Sequence, residues 1–360
     1  MSGASAVRLP LWKVLAFLIL TVLGFFVCVE LATRVFYTPS PPKEFRAFIN
    51  PEWEIRDLYQ RDPAVFWKFR PNQVLRVNSD IYGRFEIPIN NQGFRGKDWP
   101  RAHPVDDYLR ILVVGDSCVF GWGADADESF PEQMEKILNS DSRLSTPVDV
   151  MNAGTPGHSS YQALQVLKYW AKEYHPDWVI PFVGSNDALP CVGRNDLELA
   201  RIPPKPAWRE FIEQFRFWRL LEDVWRGFDS NQEDLQAMTQ TALENMASGP
   251  RRVPVNQFEK NLLEMHRFSE EIGARNILLT RQSALPDPIL DRYNETIRRI
   301  AQEKDIPLVE VAGRFLDYAT AEVYANVEHD PVHPNSRGYG LIAEWTSEKL
   351  VQEMKKGASE

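Results

Sequence analysis

The middle and the end of the chain alternate between short apolar runs and longer stretches of helical periodicity. The apolar runs have the length of buried strands and lie at 109–114, 148–151, 178–183, 276–280 and 308–311. The helical stretches lie at 128–138, 160–173, 258–272, 290–304 and 336–355. Strands that alternate with helices at this spacing predict an α/β fold with three layers, α/β/α, over residues 106–356. Its sheet is predicted to be parallel and five-stranded, with helices on both faces.

The N-terminus has a different pattern, because no charged residue lies between Val14 and Val29. With its apolar neighbours this run reaches the ~20 residues that cross a bilayer. A cleaved signal peptide is an alternative, but residues 30–33 lack the small-residue cleavage pattern. A lipoprotein anchor at Cys28 is disfavoured by the bulky residues before it, and a buried core helix is the remaining alternative. We expect residues 1–37 to form an uncleaved signal anchor.

The short N-terminal tail predicts that the tail stays in the cytoplasm, although the positive-inside bias is slight. The chain is then a single-pass protein of the inner membrane, with its main domain facing the periplasm or exterior. Residues 38–105 are predicted to form a proline-rich linker and a small strand-rich preamble, with strands near 74–78 and 82–88. Residues 190–256 interrupt the alternation as a helical insertion with aromatic residues at helical spacing. The insertion is interpreted as a helix packed on the domain or as a lid or membrane-leaning surface.

Composition excludes some functions. The net charge of −9 disfavours nucleic-acid binding, which needs clustered Lys and Arg. The three cysteines have no zinc-ligand spacing. His329 and His333 are four residues apart, but Pro331 and Pro334 make a shared helical face improbable. We therefore expect neither a metal nor a cofactor.

Polar residues follow the predicted strands at the points where they end. They are Ser117 after the first strand, Gly157 and His158 after the second, Asn186 and Asp187 after the third, and Asp330 and His333 before the last helix. Ligand sites of open parallel sheets gather at the carboxyl ends of the strands. These loops are therefore predicted to form one site.

In this combination the loops resemble the SGNH (GDSL-type) hydrolases, a family of esterases and acyltransferases. The family's four blocks match Ser117, Gly157, Asn186 and His333 in order, and Asp330 stands three residues before the histidine. Membrane-anchored bacterial members of the family are also similar in the preamble, including a Gly-Phe-Arg-Gly segment like that at 93–96. An α/β-hydrolase is disfavoured, because its Gly-x-Ser-x-Gly elbow would need glycine where Val119 stands.

The resemblance implies a catalytic triad of Ser117, His333 and Asp330. The histidine acts as base and then acid, and the aspartate orients it. The backbone N–H groups of Ser117 and Gly157 and the side-chain amide of Asn186 would bind the oxyanion. Gly154 competes with Gly157 but is interpreted as a turn glycine.

Neighbouring residues have plainer interpretations. Asp116 is expected to hold the loop by hydrogen bonds, and Asp187 to be structural. His158 either lines the pocket or is a hydrogen-bonded loop histidine. Cys118 and Cys191 are expected to be free thiols, with a disulfide between them as the alternative.

The leading functional hypothesis is a membrane-anchored serine esterase that hydrolyses acyl esters, with O-acetyl groups on cell-envelope or exported polysaccharide as the favoured substrate. An O-acyltransferase using the same acyl-Ser117 intermediate is the first alternative. A non-catalytic scaffold that binds envelope proteins is the second.

Overall fold

The computed structural model of the chain describes residues 10–37, 58–79, 82–99, 108–191, 194–203, 206–228 and 249–357. The chain divides into two compact units. The first comprises Met1–Phe45 with Pro203–Ala237, and the second comprises Arg46–Ile202 with Met238–Glu360. The predicted proline-rich linker, which begins at residue 38, lies outside the described residues.

Helix α1 (Leu11–Phe36) dominates the first unit. It is long and apolar enough to cross a membrane, a test that a signal sequence near the N-terminus also passes. At ~1.5 Å per residue its length exceeds the ~30 Å of a bilayer core.

The second unit begins with two antiparallel hairpins. They comprise β1 (Tyr59–Asp62) with β2 (Phe66–Phe69), and β3 (Gln73–Ser79) with β4 (Gly83–Ile89). Alternate side chains of the second hairpin are buried, as expected for strands with one face on a core. This hairpin confirms the strand-like pieces near 74–78 and 82–88. The first hairpin was not predicted.

A parallel sheet forms the centre of this unit. Its four strands are β5 (Leu109–Gly115), β6 (Val148–Gly154), β7 (Trp178–Phe182) and β8 (Arg275–Asn276), and a separate two-stranded parallel sheet contains β9 (Leu278–Leu279) and β10 (Leu308–Val309). Strand β5 lies between β6 and β7, β7 pairs with β8, and β9 pairs with β10. All five predicted strands are present, but the fourth is divided at Ile277, so the predicted five-stranded sheet is wrong in its strand count: one parallel sheet has four strands and a second has two. The division arises because the segment first pairs with β7 and then turns its hydrogen bonds to β10, where Leu278 N donates to Pro307 O at 2.9 Å.

Helices and short connecting elements complete the unit. They are α2 (Ser117–Phe120), α3 (Phe130–Ser140), α4 (Ser160–Tyr174), α5 (Ser185–Ala188), α6 (Asp196–Ala200), α9 (Val255–Glu271), α10 (Pro288–Glu303), α11 (Val311–Phe315), α12 (Thr320–Val323), β11 (Tyr324–Asn326), β12 (Asp330–Pro334) and α13 (Ser336–Gly357). Leu112 and Val114 of β5 join a core with α4, α9 and α10, whereas Ile111 and Val113 join a second core with α3 and α13. Because alternate residues of β5 enter different cores, both faces of the sheet are covered and the three-layer prediction is confirmed.

The first unit also contains two helices from the predicted insertion, α7 (Ala207–Ile212) and α8 (Arg216–Phe228). Helix α8 contacts α1. The sequence suggested one continuous stripe from Phe211 to Trp225. The structure ends one helix at Ile212 and begins the next at Arg216, so Phe215 lies in the connection.

Candidate active site

The loops with the predicted site residues meet at one edge of the sheet because three strands end in register. Gly115 at the end of β5 lies opposite Gly154 of β6 and opposite Phe182 of β7. A hydrogen bond from Thr155 N to Gly115 O, 3.1 Å long, joins two of the loops directly. The loops that follow these strands are therefore neighbours, as the order of the strands in the sequence predicted.

Ser117 is the first residue of the short helix α2. Asp116 precedes it as the N-cap, and its carboxylate accepts a hydrogen bond from Cys118 N at 2.9 Å. The other residues of α2 are buried, whereas Ser117 is partly exposed. A glycine is required at 115, because a Cβ there would lie 2.4 Å from Phe182 O. The local structure thus holds the serine hydroxyl at the surface of a tightly packed turn.

His333 and Asp330 lie on β12, which pairs with β11 in an antiparallel hairpin. The sequence predicted a loop for both residues, but residues 330–334 are extended. Asn335 fixes the exit of this strand, because its side-chain amide donates to the carbonyl groups of Glu322 and Tyr324. His329 and His333 therefore share no helical face.

A chain of hydrogen bonds joins the three residues. His333 Nε2 lies 2.6 Å from Ser117 Oγ, and His333 Nδ1 lies 2.5 Å from Asp330 Oδ2. Since the carboxylate only accepts, Nδ1 holds the ring proton and Nε2 is left to accept the hydroxyl proton. The other carboxylate oxygen, Asp330 Oδ1, accepts from the backbone N–H groups of Val332 and His333. The carboxylate is thus fixed at both oxygens.

Burial by itself raises the pKa of Asp330, but the hydrogen bonds and the charge of its neighbours outweigh burial. His333 and then Tyr82 stabilise the carboxylate, and the pKa of Asp330 falls to about 2. Asp330 is therefore ionised at every pH at which an esterase works, and its charge is available to stabilise an imidazolium.

The loops of Gly157 and Asn186 lie beside Ser117. Gly157 has a positive φ of 81°. Among the described residues, no acceptor is paired with the backbone N–H of Ser117 or of Gly157. The amide of Asn186 is engaged, because its Nδ2 donates to His158 O at 3.1 Å and to Asp116 Oδ2 at 3.3 Å. In the described part of the chain the two backbone N–H groups are therefore left without a protein acceptor, whereas the amide of Asn186 has two.

Gly154 differs from its interpretation as a turn glycine. It ends strand β6, and a Cβ at this position would lie 2.2 Å from Phe120 N. This glycine allows the second strand to pack directly against the helix of Ser117. The positive φ belongs to Gly157 instead.

An arginine that the sequence did not single out lies under the site. The guanidinium of Arg281 is fully buried and pairs with both oxygens of Asp116, at 3.1 and 3.3 Å. It also donates to Ser185 Oγ and stacks on Phe182, 4.0 Å from the ring centroid. Asp116 therefore holds the loop by hydrogen bonds, as predicted, and Arg281 ties it to the loop of Asn186. Position 281 directly follows the predicted strand at 276–280, and this position after a strand is the signal that could have revealed it.

The preamble contacts the site from two directions. The hydroxyl of Tyr82 donates to Asp330 Oδ2, the oxygen that also accepts from His333. The ring of Tyr82 packs against Gly123, where a Cβ would lie 2.6 Å from it. Trp67 Nε1 donates to Pro156 O at 3.1 Å, one residue before Gly157. Burial, and then the Asp330 carboxylate, raises the pKa of Tyr82, so the phenol stays protonated and donates.

His158 and Asp187 hold the loops from behind. His158 is buried, and its Nε2 bonds to Trp67 O at 2.9 Å, which favours the hydrogen-bonded interpretation over a pocket lining. The Asp187 carboxylate is buried and accepts from Ser160 N and Ser160 Oγ at the start of α4. Asp187 is therefore structural, as predicted.

The buried His158 predicts acid sensitivity of the fold. Burial lowers the pKa of His158 to about 3, whereas an unfolded histidine titrates near pH 6.5. Between these two values only the unfolded chain takes up this proton, so the free energy of unfolding falls by about 1.4 kcal/mol per pH unit as the pH decreases. His158→Gln is expected to remove one proton from this dependence, measured by urea unfolding between pH 7.5 and 5. His175→Gln, at an exposed position, is the control and is expected to keep the dependence of the wild type.

The alternative of a disulfide between Cys118 and Cys191 is wrong, because both are free thiols. Cys118 is buried beneath Ser117, with its Sγ 3.7 Å from Gln282 Nε2, and burial raises its pKa to about 12. The backbone of Cys191 instead bonds to Pro250.

Comparisons with known proteins identify the family. The chain is 24% identical over 247 residues to thioesterase 1/protease 1/lysophospholipase L1 of Escherichia coli K12. The aligned region covers 67% of this chain and 82% of that protein. It is 21% identical over 261 residues to the uncharacterized protein YpmR of Bacillus subtilis, covering 72% and 88%.

Among solved structures, a lipase/acylhydrolase from Enterococcus faecalis has 18% identity and a TM-score of 0.44, and the match covers 68% of this chain and 96% of that one. A catalytic mutant of the acetylxylan esterase Axe2 from Geobacillus stearothermophilus has 16% identity and a TM-score of 0.43, covering 69% and 96%. The sequence model of the GDSL-like Lipase/Acylhydrolase family matches residues 113–341, well over half of the chain. The chain therefore belongs to the GDSL-like lipase/acylhydrolase family and is a serine ester hydrolase.

Proposed function

We propose that this chain is a membrane-anchored serine esterase that removes O-acetyl groups from a cell-envelope polysaccharide or from an exported polysaccharide. The observation that carries the proposal is the hydrogen-bonded series Ser117–His333–Asp330 at the carboxyl edge of the sheet. A serine hydroxyl becomes a useful nucleophile when a base within hydrogen-bond distance takes its proton. Here the distance from base to hydroxyl is 2.6 Å.

In the first half-reaction Ser117 Oγ attacks the carbonyl carbon of the ester, and the hydroxyl proton passes to His333 Nε2. The imidazolium lies against the ionised Asp330, whose charge stabilises it. Collapse of the tetrahedral intermediate breaks the bond to the sugar oxygen, and His333 returns the proton to that oxygen. The acyl group then remains on Ser117.

The negative oxygen of the intermediate is assigned to the backbone N–H groups of Ser117 and Gly157. Donors placed in advance stabilise the transition state without reorganisation, and losing one costs about 10²–10³ in turnover. Asn186 would supply a third donor when its 3.3 Å bond to Asp116 Oδ2 is exchanged for the oxyanion.

In the second half-reaction water attacks the acyl-serine, His333 takes its proton, and acetate leaves as Ser117 is reprotonated. The uncharged run 14–29 of helix α1 supports an anchor in the inner membrane, with the catalytic domain outside the cytoplasm. A domain held there meets envelope and exported glycans, which is the reason for the proposed substrate.

The proposal is tested by covalent labelling of Ser117 and by comparing the hydrolysis of different esters. An aryl phosphonate is expected to label Ser117 of the full chain in detergent, located by mass spectrometry of the tryptic peptide. Acetylated oligosaccharides are then expected to release free acetate faster than esters of long fatty acids. A folded protein that is not labelled would favour the scaffold hypothesis. Transfer of acetyl to an added sugar faster than the release of acetate would favour the acyltransferase.

Tyr82 offers a prediction within this mechanism. Tyr82→Phe removes one of the hydrogen bonds that fix the Asp330 carboxylate, so the imidazole that Asp330 orients is positioned less well for Ser117, and kcat/KM is expected to fall about tenfold. Without this donor the pKa of Asp330 rises and its carboxylate holds the imidazolium more strongly. The acid limb of the pH profile of kcat/KM therefore moves to higher pH.

The pH profile separates positioning from simple packing. A purely structural role for Tyr82 would lower activity and leave the acid limb in place. Tyr108→Phe is the matched control, because this side chain is exposed at the start of the domain. Its activity and pH profile are expected to equal those of the wild type.

A further inference from the structure

The insertion helices α7 and α8 belong to the same unit as α1, and α1 determines where α8 begins. The carboxylate of Glu30 accepts from the first two backbone N–H groups of α8, those of Arg216 and Phe217, each at 3.1 Å. A carboxylate in this position satisfies orphan N–H groups and favours the positive end of the helix dipole. The start of α8 is thus fixed to one point on α1.

Further contacts fix α8 beside the end of α1. The rings of Phe26 and Phe217 meet edge to face with their centroids 6.0 Å apart. The guanidinium of Arg216 donates to the carbonyls of Arg34 and Tyr37, where the last turn of α1 leaves them without helical partners. Glu30 directly follows Val29, the last residue of the uncharged run. Helix α8 therefore begins at the level where the apolar part of α1 ends.

These contacts leave much of the apolar face of α8 exposed. Leu221, Val224 and Trp225 lie on one side of the helix at i, i+3 and i+4, and Trp225 is 76% exposed. Arg219 lies on the opposite side of the helix. The neighbouring segment adds three more exposed aromatic side chains, those of Trp208, Phe211 and Phe215. A group of exposed apolar side chains such as this one marks a site of interaction.

We infer that residues 206–228 bind the bilayer surface as an interfacial helix pair, on the side of the membrane where α1 ends. The inference rests on the membrane anchor of the proposed function. A lipid surface is the occupant that fits, because the apolar face is continuous with the end of an apolar span. Amphipathic helices with aromatic residues lie in the interface with their apolar face buried about 5–10 Å, and tryptophan is enriched at that depth. The chain then has two attachments to one bilayer, a span and an in-plane helix pair.

The test uses the full chain with one reactive thiol in each variant, carrying the fluorophore NBD and reconstituted in phosphatidylcholine vesicles. Cys191→Ser alone leaves Cys28 on α1 as the reactive thiol, since Cys118 is buried. Trp225→Cys and Arg219→Cys, each combined with Cys28→Ser and Cys191→Ser, place the label on the two sides of α8. Aqueous iodide on both sides of the membrane and doxyl-labelled lipid are the two quenchers.

The label at 225 is expected to lose iodide quenching and to be quenched by lipid labelled near the headgroup, while the label at 219 keeps its iodide quenching. Equal iodide quenching at 225 and 219 would overturn the inference. Protection at 225 without quenching by lipid would also overturn it and would point to a protein partner. Leu221→Cys is the second variant if Trp225→Cys does not fold, and aryl acetate hydrolysis by each variant checks the fold.

The label at Cys28 separates this inference from the anchor. Quenching of Cys28 by doxyl lipid together with an iodide-accessible label at 225 leaves the anchor intact and removes only the interfacial helix pair. If the label at Cys28 is not quenched by lipid, the anchor is contradicted, and the inference fails because it rests on the anchor.

Discussion

Replacement of Ser117 by alanine is expected to lower kcat/KM for aryl acetates by about 10⁴-fold or more, the loss typical of removing the nucleophile from a hydrogen-bonded triad. The effect is this large because His333 then has no hydroxyl to activate, while the backbone donors at Ser117 and Gly157 stay in place. The measurement is hydrolysis by full-length protein in detergent, with the midpoint of thermal unfolding measured on the same sample.

The midpoint is expected to stay near that of the wild type, because Ser117 is partly exposed and the fixed structure of α2 depends on Asp116. Ser140→Ala, which removes a hydroxyl at an exposed position on α3, is the matched control and is expected to hydrolyse the ester at the rate of the wild type. Hydrolysis by Ser117→Ala as fast as by the wild type would end the proposed mechanism.

Replacement of Arg281 by methionine is expected to lower the free energy of unfolding by about 3–5 kcal/mol, because it leaves the Asp116 carboxylate buried without its cation. In a domain of this size the midpoint of thermal unfolding falls by about 10 °C. Esterase activity is expected to fall as well, since Asp116 is the N-cap of the helix of Ser117 and accepts from Asn186.

Two variants check the origin of this effect. Arg298→Met breaks an ion pair with Glu310 whose side chains are about 40% exposed, and it is expected to cost about 1 kcal/mol or less. Combining Arg281→Met with Asp116→Asn removes the unpaired charge and is expected to recover part of the lost stability. If Arg281→Met is no less stable than Arg298→Met, the buried pair does not hold the site together.

The strands and the polar residues after them could be predicted because each depends on local sequence. The apolar run before Ser117 and the apolar runs before Gly157 and Asn186 show where strands end, and parallel strands then bring their loops to one edge. Because His333 precedes the last predicted helix, chain order alone placed it in the last of these loops. The family resemblance supplied the roles, which the periodicity of the sequence does not contain.

The contacts of Arg281 and Tyr82 could not be predicted, because they depend on tertiary packing. An arginine is seldom fully buried, and nothing in the residues around 281 states that Asp116 is its partner. The hairpin of Tyr59–Phe69 was missed for a related reason. Its strands are four residues long and lack a clear alternation, so local propensity is weak where packing decides.

The hydrogen bond from Tyr82 to Asp330 joins residues 248 positions apart, and that from Ser117 to His333 spans 216. Closing such long stretches of chain has an entropic cost that local contacts avoid, and contacts of this separation slow folding. The hairpin carrying Asp330 and His333 is also synthesised after every strand of the parallel sheets. The triad proposed for this site therefore cannot assemble on a nascent chain before residues 324–334 have been made and have reached the edge of the sheet.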